Sequence, residues 1–102
     1  MVSTPDDELM PFVISKLITR IGRDASNDLM IQVASVSRKH AALIIDRSGT
    51  QTRMYIEDLR SQNGTRVNGQ IINDMAPVQI GDVITLAEDV TLTLQEDHSH
   101  QS

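Results

Sequence analysis

The apolar residues of this chain come in short runs, the longest being Ala41 to Ile45, and turn formers interrupt them along the whole length. That rhythm is too brief for a helix of ordinary length and far too brief for a membrane span of about 20 residues. It suits strands. Val90, Leu92 and Leu94 alternate with Thr91, Thr93 and Gln95, the period-two pattern of a strand with one buried face. Ala41 to Asp46 is predicted as a second strand, with Arg47 to Gln51 as a hairpin loop and Arg53 to Leu59 returning. Shorter strand segments are predicted at Phe12 to Ile14, Leu17 to Ile21, Leu29 to Ile31 and Val83 to Leu86. Asn68-Gly69 is a strong tight-turn pair, Ile80-Gly81-Asp82 another turn, and Glu88-Asp89 the predicted two-residue turn of the last hairpin. Short strands with turn signals about every 8–12 residues indicate an all-β, antiparallel sandwich or barrel.

With 102 residues there is room for one domain, expected over 9–95, with polar tails at 1–8 and 96–102. Hydrophobic residues make up 39% of the chain, yet Phe12 and Tyr55 are its only aromatics, so the core must come from Ile, Val, Leu and Met. β-branched residues favour a pleated sheet over a helix bundle. The absence of cysteine removes disulfides and thiolate metal sites and fits a reducing interior. No basic, apolar leader opens the chain, so the expected compartment is the cytoplasm. His98 and His100 lack a third ligand, and neither metal nor cofactor is expected.

The net charge of −5 argues against a general nucleic-acid binder, and no membrane partner is expected. The basic residues are nonetheless gathered. Arg20, Arg23, Arg38, Lys39, Arg60 and Arg66 fall in or beside three polar clusters at predicted strand ends. The clusters are Gly22-Arg23, Ser37-Arg38-Lys39-His40, and Ser61 to Gly69. Physiological salt screens charges beyond about 8 Å, so local arginines would outweigh remote carboxylates.

Guanidiniums, a hydroxyl and an amide suit a ligand rich in anionic oxygens. Arg23 offers a planar fork for two phosphate oxygens, against the plainer role of a surface arginine behind a turn glycine. Ser37 can donate to an oxygen and Arg38 can add charge, or the pair can simply cap a loop. His40 adjoins an apolar strand, where a histidine is more often a hydrogen-bonded tie between loops than a base. Asn63 can hold an extended peptide backbone because its amide both donates and accepts; Gly64 and Gly69 supply positive φ. Ser37 and His40 are the one sequence-close nucleophile–base pair, with no glycine-rich oxyanion loop beside them, so no enzyme is expected.

Taken in order, Gly22-Arg23, Ser37 to His40, Asn63-Gly64-Thr65, Val67-Asn68-Gly69 and Gly81-Asp82 resemble the forkhead-associated (FHA) domain, from about Ile18 to Leu94. The resemblance implies an antiparallel β-sandwich of the FHA/SMAD type, with eleven strands and a loop-borne site at one end for phosphothreonine in an extended peptide. It implies phosphate contacts for Arg23 and Ser37, a second contact for Arg38, and a hold on the ligand backbone for Asn63. His40 resembles the structural histidine of the family, and Gly22, Gly64, Asn68 and Gly69 would shape the loops. Gln62 departs from the small hydroxyl residue often found before the asparagine, but can still reach a ligand. The implied partner is a threonine-phosphorylated protein or peptide, and fusion to other domains is common for such a module. The alternative is a phosphate-independent scaffold that pairs through its sheet face or loops.

Overall fold

The computed structural model describes residues 2–3, 9–10 and 12–95. Eleven strands are assigned, and no described residue is helical. They are β1 (Val2–Ser3), β2 (Leu9–Met10), β3 (Ile18–Gly22), β4 (Leu29–Met30), β5 (Ala41–Asp46), β6 (Arg53–Asp58), β7 (Thr65–Val67), β8 (Gln70–Ile71), β9 (Met75–Val78), β10 (Val83–Leu86) and β11 (Val90–Thr93). One sheet runs β2-β1-β11-β10-β7-β8 and the other β4-β3-β5-β6-β9. The described pairings are antiparallel except that of β3 with β4. The expected antiparallel sandwich is thus the architecture observed.

Register explains which face is buried. Thr19, Leu43, Ile56 and Ala76 lie side by side across β3, β5, β6 and β9 and point inward. Ile84, Leu86, Val90 and Leu92 face them from the other sheet. Ile56 is completely buried. Burying such a side chain stabilises by about 1.5–3 kcal/mol. Ile18, Ile44, Tyr55 and Pro77 form the adjacent row on the outer face.

Several local expectations need amending. Phe12 to Ile14 form no strand; Phe12 and Ile14 pack against the core as irregular chain. Leu86 pairs with Val90, so the last hairpin turns over three residues, Ala87 to Asp89, rather than two. The extra residue has a purpose: Ala87, buried at φ 58°, donates its N–H to the Gly64 carbonyl at 2.9 Å. Strand β9 was not foreseen, because Pro77 argues against a strand. It sits at a sheet edge, where a missing N–H is tolerated. In the stretch expected as an N-terminal tail, Val2–Ser3 pairs with Thr91 and Leu92; residues 4–8 and the expected tail at 96–102 lie outside the described residues.

The Asn68-Gly69 turn forms as expected. Asn68 and Gly69 have φ of 50° and 86°, the double positive values of a two-residue hairpin between β7 and β8.

Candidate functional site

The loop after β3, the loop before β5, the loop after β6 and the β10–β11 turn converge at one end of the sandwich. Close approach comes first. A Cβ on Gly22 would lie 2.2 Å from the Arg38 carbonyl oxygen and 2.8 Å from Asn27 Nδ2. Only glycine lets β3 pass so near the second cluster. Asn27, nearly buried, then bonds through Nδ2 to the carbonyls of Asp24 (2.8 Å) and Arg38 (2.7 Å). The Arg23 N–H donates to the Ser37 carbonyl at 3.0 Å. These bonds fix residue 23 beside residue 37, although fourteen positions separate them in the chain.

His40 ties the second cluster to the third. It is completely buried. Its Nδ1 accepts from the Ser37 N–H at 3.1 Å, which places the ring proton on Nε2, donating to the Gly64 carbonyl at 2.8 Å. Burial pushes the His40 pKa below the usual histidine value, and the Gly64 carbonyl and Asp58 charge offset this only in part. The ring is therefore a neutral strut. It makes no hydrogen bond to the Ser37 hydroxyl, which instead accepts from the Gln62 N–H at 2.9 Å. The nucleophile–base pair considered from sequence is not assembled.

Asp58 is a hub that sequence reasoning missed. Its carboxylate accepts from the Ser61 N–H (3.2 Å), the Ser61 hydroxyl (2.5 Å) and the buried Thr65 hydroxyl (2.7 Å). Ser61 Oγ in turn accepts from the Gly64 N–H at 3.0 Å. The tight turn this creates holds Arg60 at φ 57°, a conformation that costs a non-glycine residue about 1–2 kcal/mol. A signal was present: an Asp closing a strand, three residues before a Ser, is a recipe for side-chain-to-backbone turns.

What these bonds leave unused defines the site. Arg23 Nε donates to the Val36 carbonyl at 2.9 Å, which aims the guanidinium and leaves its two terminal nitrogens without a described partner. The Ser37 hydroxyl accepts internally, so its own proton remains available to donate. Asn63 uses one amide N–H on the Ser35 carbonyl at 2.7 Å and retains its oxygen and second N–H. Gln62 and Asn63 are exposed at the same loop. The Arg38 side chain is exposed while its carbonyl anchors Asn27 and the Asp24 N–H; its charge helps lower the Asp24 pKa, after the stronger Ser26 hydrogen bond. Among the described residues, no carboxylate forms an ion pair with Arg23, Arg38, Lys39 or Arg60. Arg66, by contrast, reaches Glu88 at 3.4 Å.

Arg23, Ser37, Arg38, Gln62 and Asn63 are thus brought to one end, with Gly22, His40 and Gly64 as their supports. Asn68 and Gly69 are not beside them. They lie at the far end of β7, about 10 Å along the strand. Their contribution is indirect: the hairpin returns Ile71 over Gly64, where a Cβ would lie 2.6 Å from Ile71 Cδ1. A concavity of about 650 Å³ lies between the edge strands β8 and β9, but its lining residues include no Arg or Lys. Among the described residues, no group of three His, Cys, Asp or Glu is placed to hold a metal ion, and no helix is long and apolar enough to cross a membrane.

Comparison with known proteins agrees with this geometry. The chain is 39% identical over 70 residues to the transcriptional regulatory protein EmbR of Mycobacterium tuberculosis, covering 69% of this chain and 17% of EmbR. It is 40% identical over 85 residues to the ABC transporter ATP-binding/permease protein Rv1747 of the same organism, covering 78% and 9%. The chain therefore spans less than a fifth of the length of either relative. The structure of EmbR in complex with a low-affinity phosphopeptide superposes with a TM-score of 0.68 at 32% identity, covering 84% of this chain and 22% of that one. A domain solved in a study of phosphothreonine-dependent FHA domain interactions superposes at 0.77 and 23% identity, covering 94% and 95%, and so shares the fold. The FHA-domain family model matches residues 19–87, from the second residue of β3 to the first residue of the last turn, and the chain belongs to the FHA-domain family.

Proposed function

We propose that the protein reads phosphothreonine in an extended segment of a partner protein, without catalysis. The observation that carries this reading is the set of unused donors. Arg23, Ser37 and Asn63 satisfy one another's loops through their other atoms and leave donors, unpaired with carboxylates, at one end. A phosphate monoester brings about −1.5 to −2 charges and strong acceptor oxygens, which match that set. Arg23 would take two oxygens, Ser37 a third, and Arg38 would add charge from the rim. Asn63, with Gln62 beside it, would hold the ligand backbone. EmbR, a related protein, has been solved with a phosphopeptide, which supports the same class of ligand here. Preference for threonine over serine would come from its methyl group, worth only about 1 kcal/mol by burial.

A second reading has one observation in its favour. The outer-face row of Ile18, Ile44, Tyr55 and Pro77 is an apolar stripe across four strands, and Ile18 is 44% exposed. A scaffold pairing through that face would not need phosphate. Calorimetric titration with matched phosphorylated and unphosphorylated threonine peptides separates the two. Binding confined to the phosphorylated peptide is expected; equal affinities would overturn the reader in favour of the scaffold.

A further inference from the structure

Register orders the outer face of strands β3, β5, β6 and β9 into rows. The middle row is apolar: Ile18, Ile44, Tyr55 and Pro77. Ile18 and Pro77, at its two ends, are exposed, and Ile44 and Tyr55 between them are half-buried. The row nearer the candidate site holds Arg20, Ala42, Glu57 and Met75, the last 53% exposed. The row on the other side holds Asp46 and Arg53. Among the described residues, Arg20, Glu57 and Arg53 form no ion pair. A concavity of about 570 Å³ lies beside the middle row, with Arg53, Tyr55, Pro77 and Ile80 in its walls.

We propose that this face pairs with the same face of a second copy of the chain, about a two-fold axis that runs along the strands between β5 and β6. Such an axis sets each row opposite itself and reverses the order of the strands. β5 then faces β6 of the second copy, and β3 faces its β9. Face-to-face sheets hold their strands within about 30° of alignment, which keeps the rows together. Ile44 meets Tyr55 of the second copy, and Ile18 meets Pro77 beside the concavity, which has room to receive it. Asp46 meets Arg53. Glu57 falls over Ala42, whose side chain is only a methyl, and so comes within one strand spacing, about 4.8 Å, of Arg20. Each of the four charges finds its opposite, and the symmetry makes every contact twice. Size sets the strength. Four strands of about six residues cover roughly 19 by 20 Å, at the low end for a specific interface, so the dimer forms at high concentration and dissociates on dilution. The loop end lies beyond this face and stays open in both copies, so the pairing does not depend on the phosphate reading.

The test is sedimentation velocity of the full chain over about a hundredfold range of concentration. A shift from monomer to dimer is expected as concentration rises. Ile18→Glu, a change at a position 44% exposed, should leave the chain monomeric throughout with its circular dichroism unchanged. Arg20→Glu and Glu57→Arg should each weaken self-association about tenfold, because each sets like charges against one another twice. Mixed together, these two variants should regain native affinity as a heterodimer, since one copy then carries both carboxylates and the other both guanidiniums. A defect confined to the fold of either variant would not be repaired by mixing. A native chain that is monomeric at every concentration overturns the pairing and leaves the face to a different protein. A dimer unchanged by Ile18→Glu overturns the choice of face. Weakening in both charge variants without recovery on mixing overturns the two-fold arrangement.

Discussion

The two ends of the sandwich are built by the same device and finish differently. At the end opposite the candidate site, Asn68 Oδ1 accepts from the Val83 N–H at 2.9 Å and its Nδ2 donates to Asp82 at 3.1 Å. Asp82 also accepts from the Gln79 N–H at 2.9 Å. Asp46 takes both the N–H and the hydroxyl of Ser48. Those bonds pair polar side chains with nearby backbone and with each other. At the site end, Asp58, Ser61, His40 and Asn27 fasten the loops just as firmly, yet Arg23, Ser37 and Asn63 keep donors that no described residue uses. Loop rigidity is thus common to both ends. Among the described residues, arginines without an ion pair occur at both ends, Arg47 and Arg53 included; the gathering of the unused Arg23, Ser37 and Asn63 donors by bonds between loops sets the site apart.

Four perturbations probe that contrast, in falling order of expected effect on the site end, read as affinity or as stability. Arg23→Ala should abolish measurable binding, a loss of roughly 2–5 kcal/mol, while circular dichroism and the melting temperature show an intact fold. Near-native affinity in that variant would falsify the site assignment. Gly22→Ala should damage stability and affinity together, because its Cβ meets the Arg38 carbonyl and that backbone must move. A cost of about 1–3 kcal/mol is expected in denaturant unfolding. If it unfolds at the native midpoint, the close approach at β3 is not required.

The third perturbation is pH, followed on the ligand-free protein so that the phosphate's own titration does not intrude. His40 has its folded pKa below its unfolded one, near 6.5. Its stabilising contribution is therefore complete above that value and is lost as pH falls toward the lowered folded pKa. The slope reaches at most about 1.4 kcal/mol per pH unit. Asp24, Asp28 and Asp46 also have lowered pKa values, so their contributions disappear only below about 3.8, in a separate and more acidic window. A stability curve flat from pH 7 down to 4.5 would show that the ring is not the neutral strut described. Fourth, Asn68→Ala at the opposite end should lose about 1–2 kcal/mol of stability with affinity unchanged at a temperature where the protein stays folded. A parallel fall in affinity would mean the two ends are not independent.

Much of this contrast was legible in the chain. Asn68-Gly69 announced its turn because few residue pairs accept two consecutive positive φ values. Arg23, Ser37 and Asn63 stood out as polar groups at strand ends, and His40 as a tie between loops rather than a base. Asp58 was missed although its Ser61 partner lies only three residues on, because nothing local shows that Thr65, seven residues on, also turns its hydroxyl to the same carboxylate. Arg60 gave no cue that it would adopt φ 57°, a conformation imposed by its neighbours' bonds. β9 was concealed by Pro77, whose meaning depends on lying at an edge, and edges are decided by the whole sheet order. The hydrogen bond from the Ser35 hydroxyl to the Asp89 carboxylate was invisible for the plainest reason: nothing local links the two residues, and only the closed sandwich brings them together.

The Ser37–Gln62 bond, which clasps two loops before any partner arrives, has a kinetic consequence. Freezing a floppy segment on association consumes favourable interaction energy. Here that ordering has largely been completed during folding. Encounter should then resemble docking onto a ready-made mould, so variants of the bound segment should differ mainly in residence time rather than in how quickly they are captured.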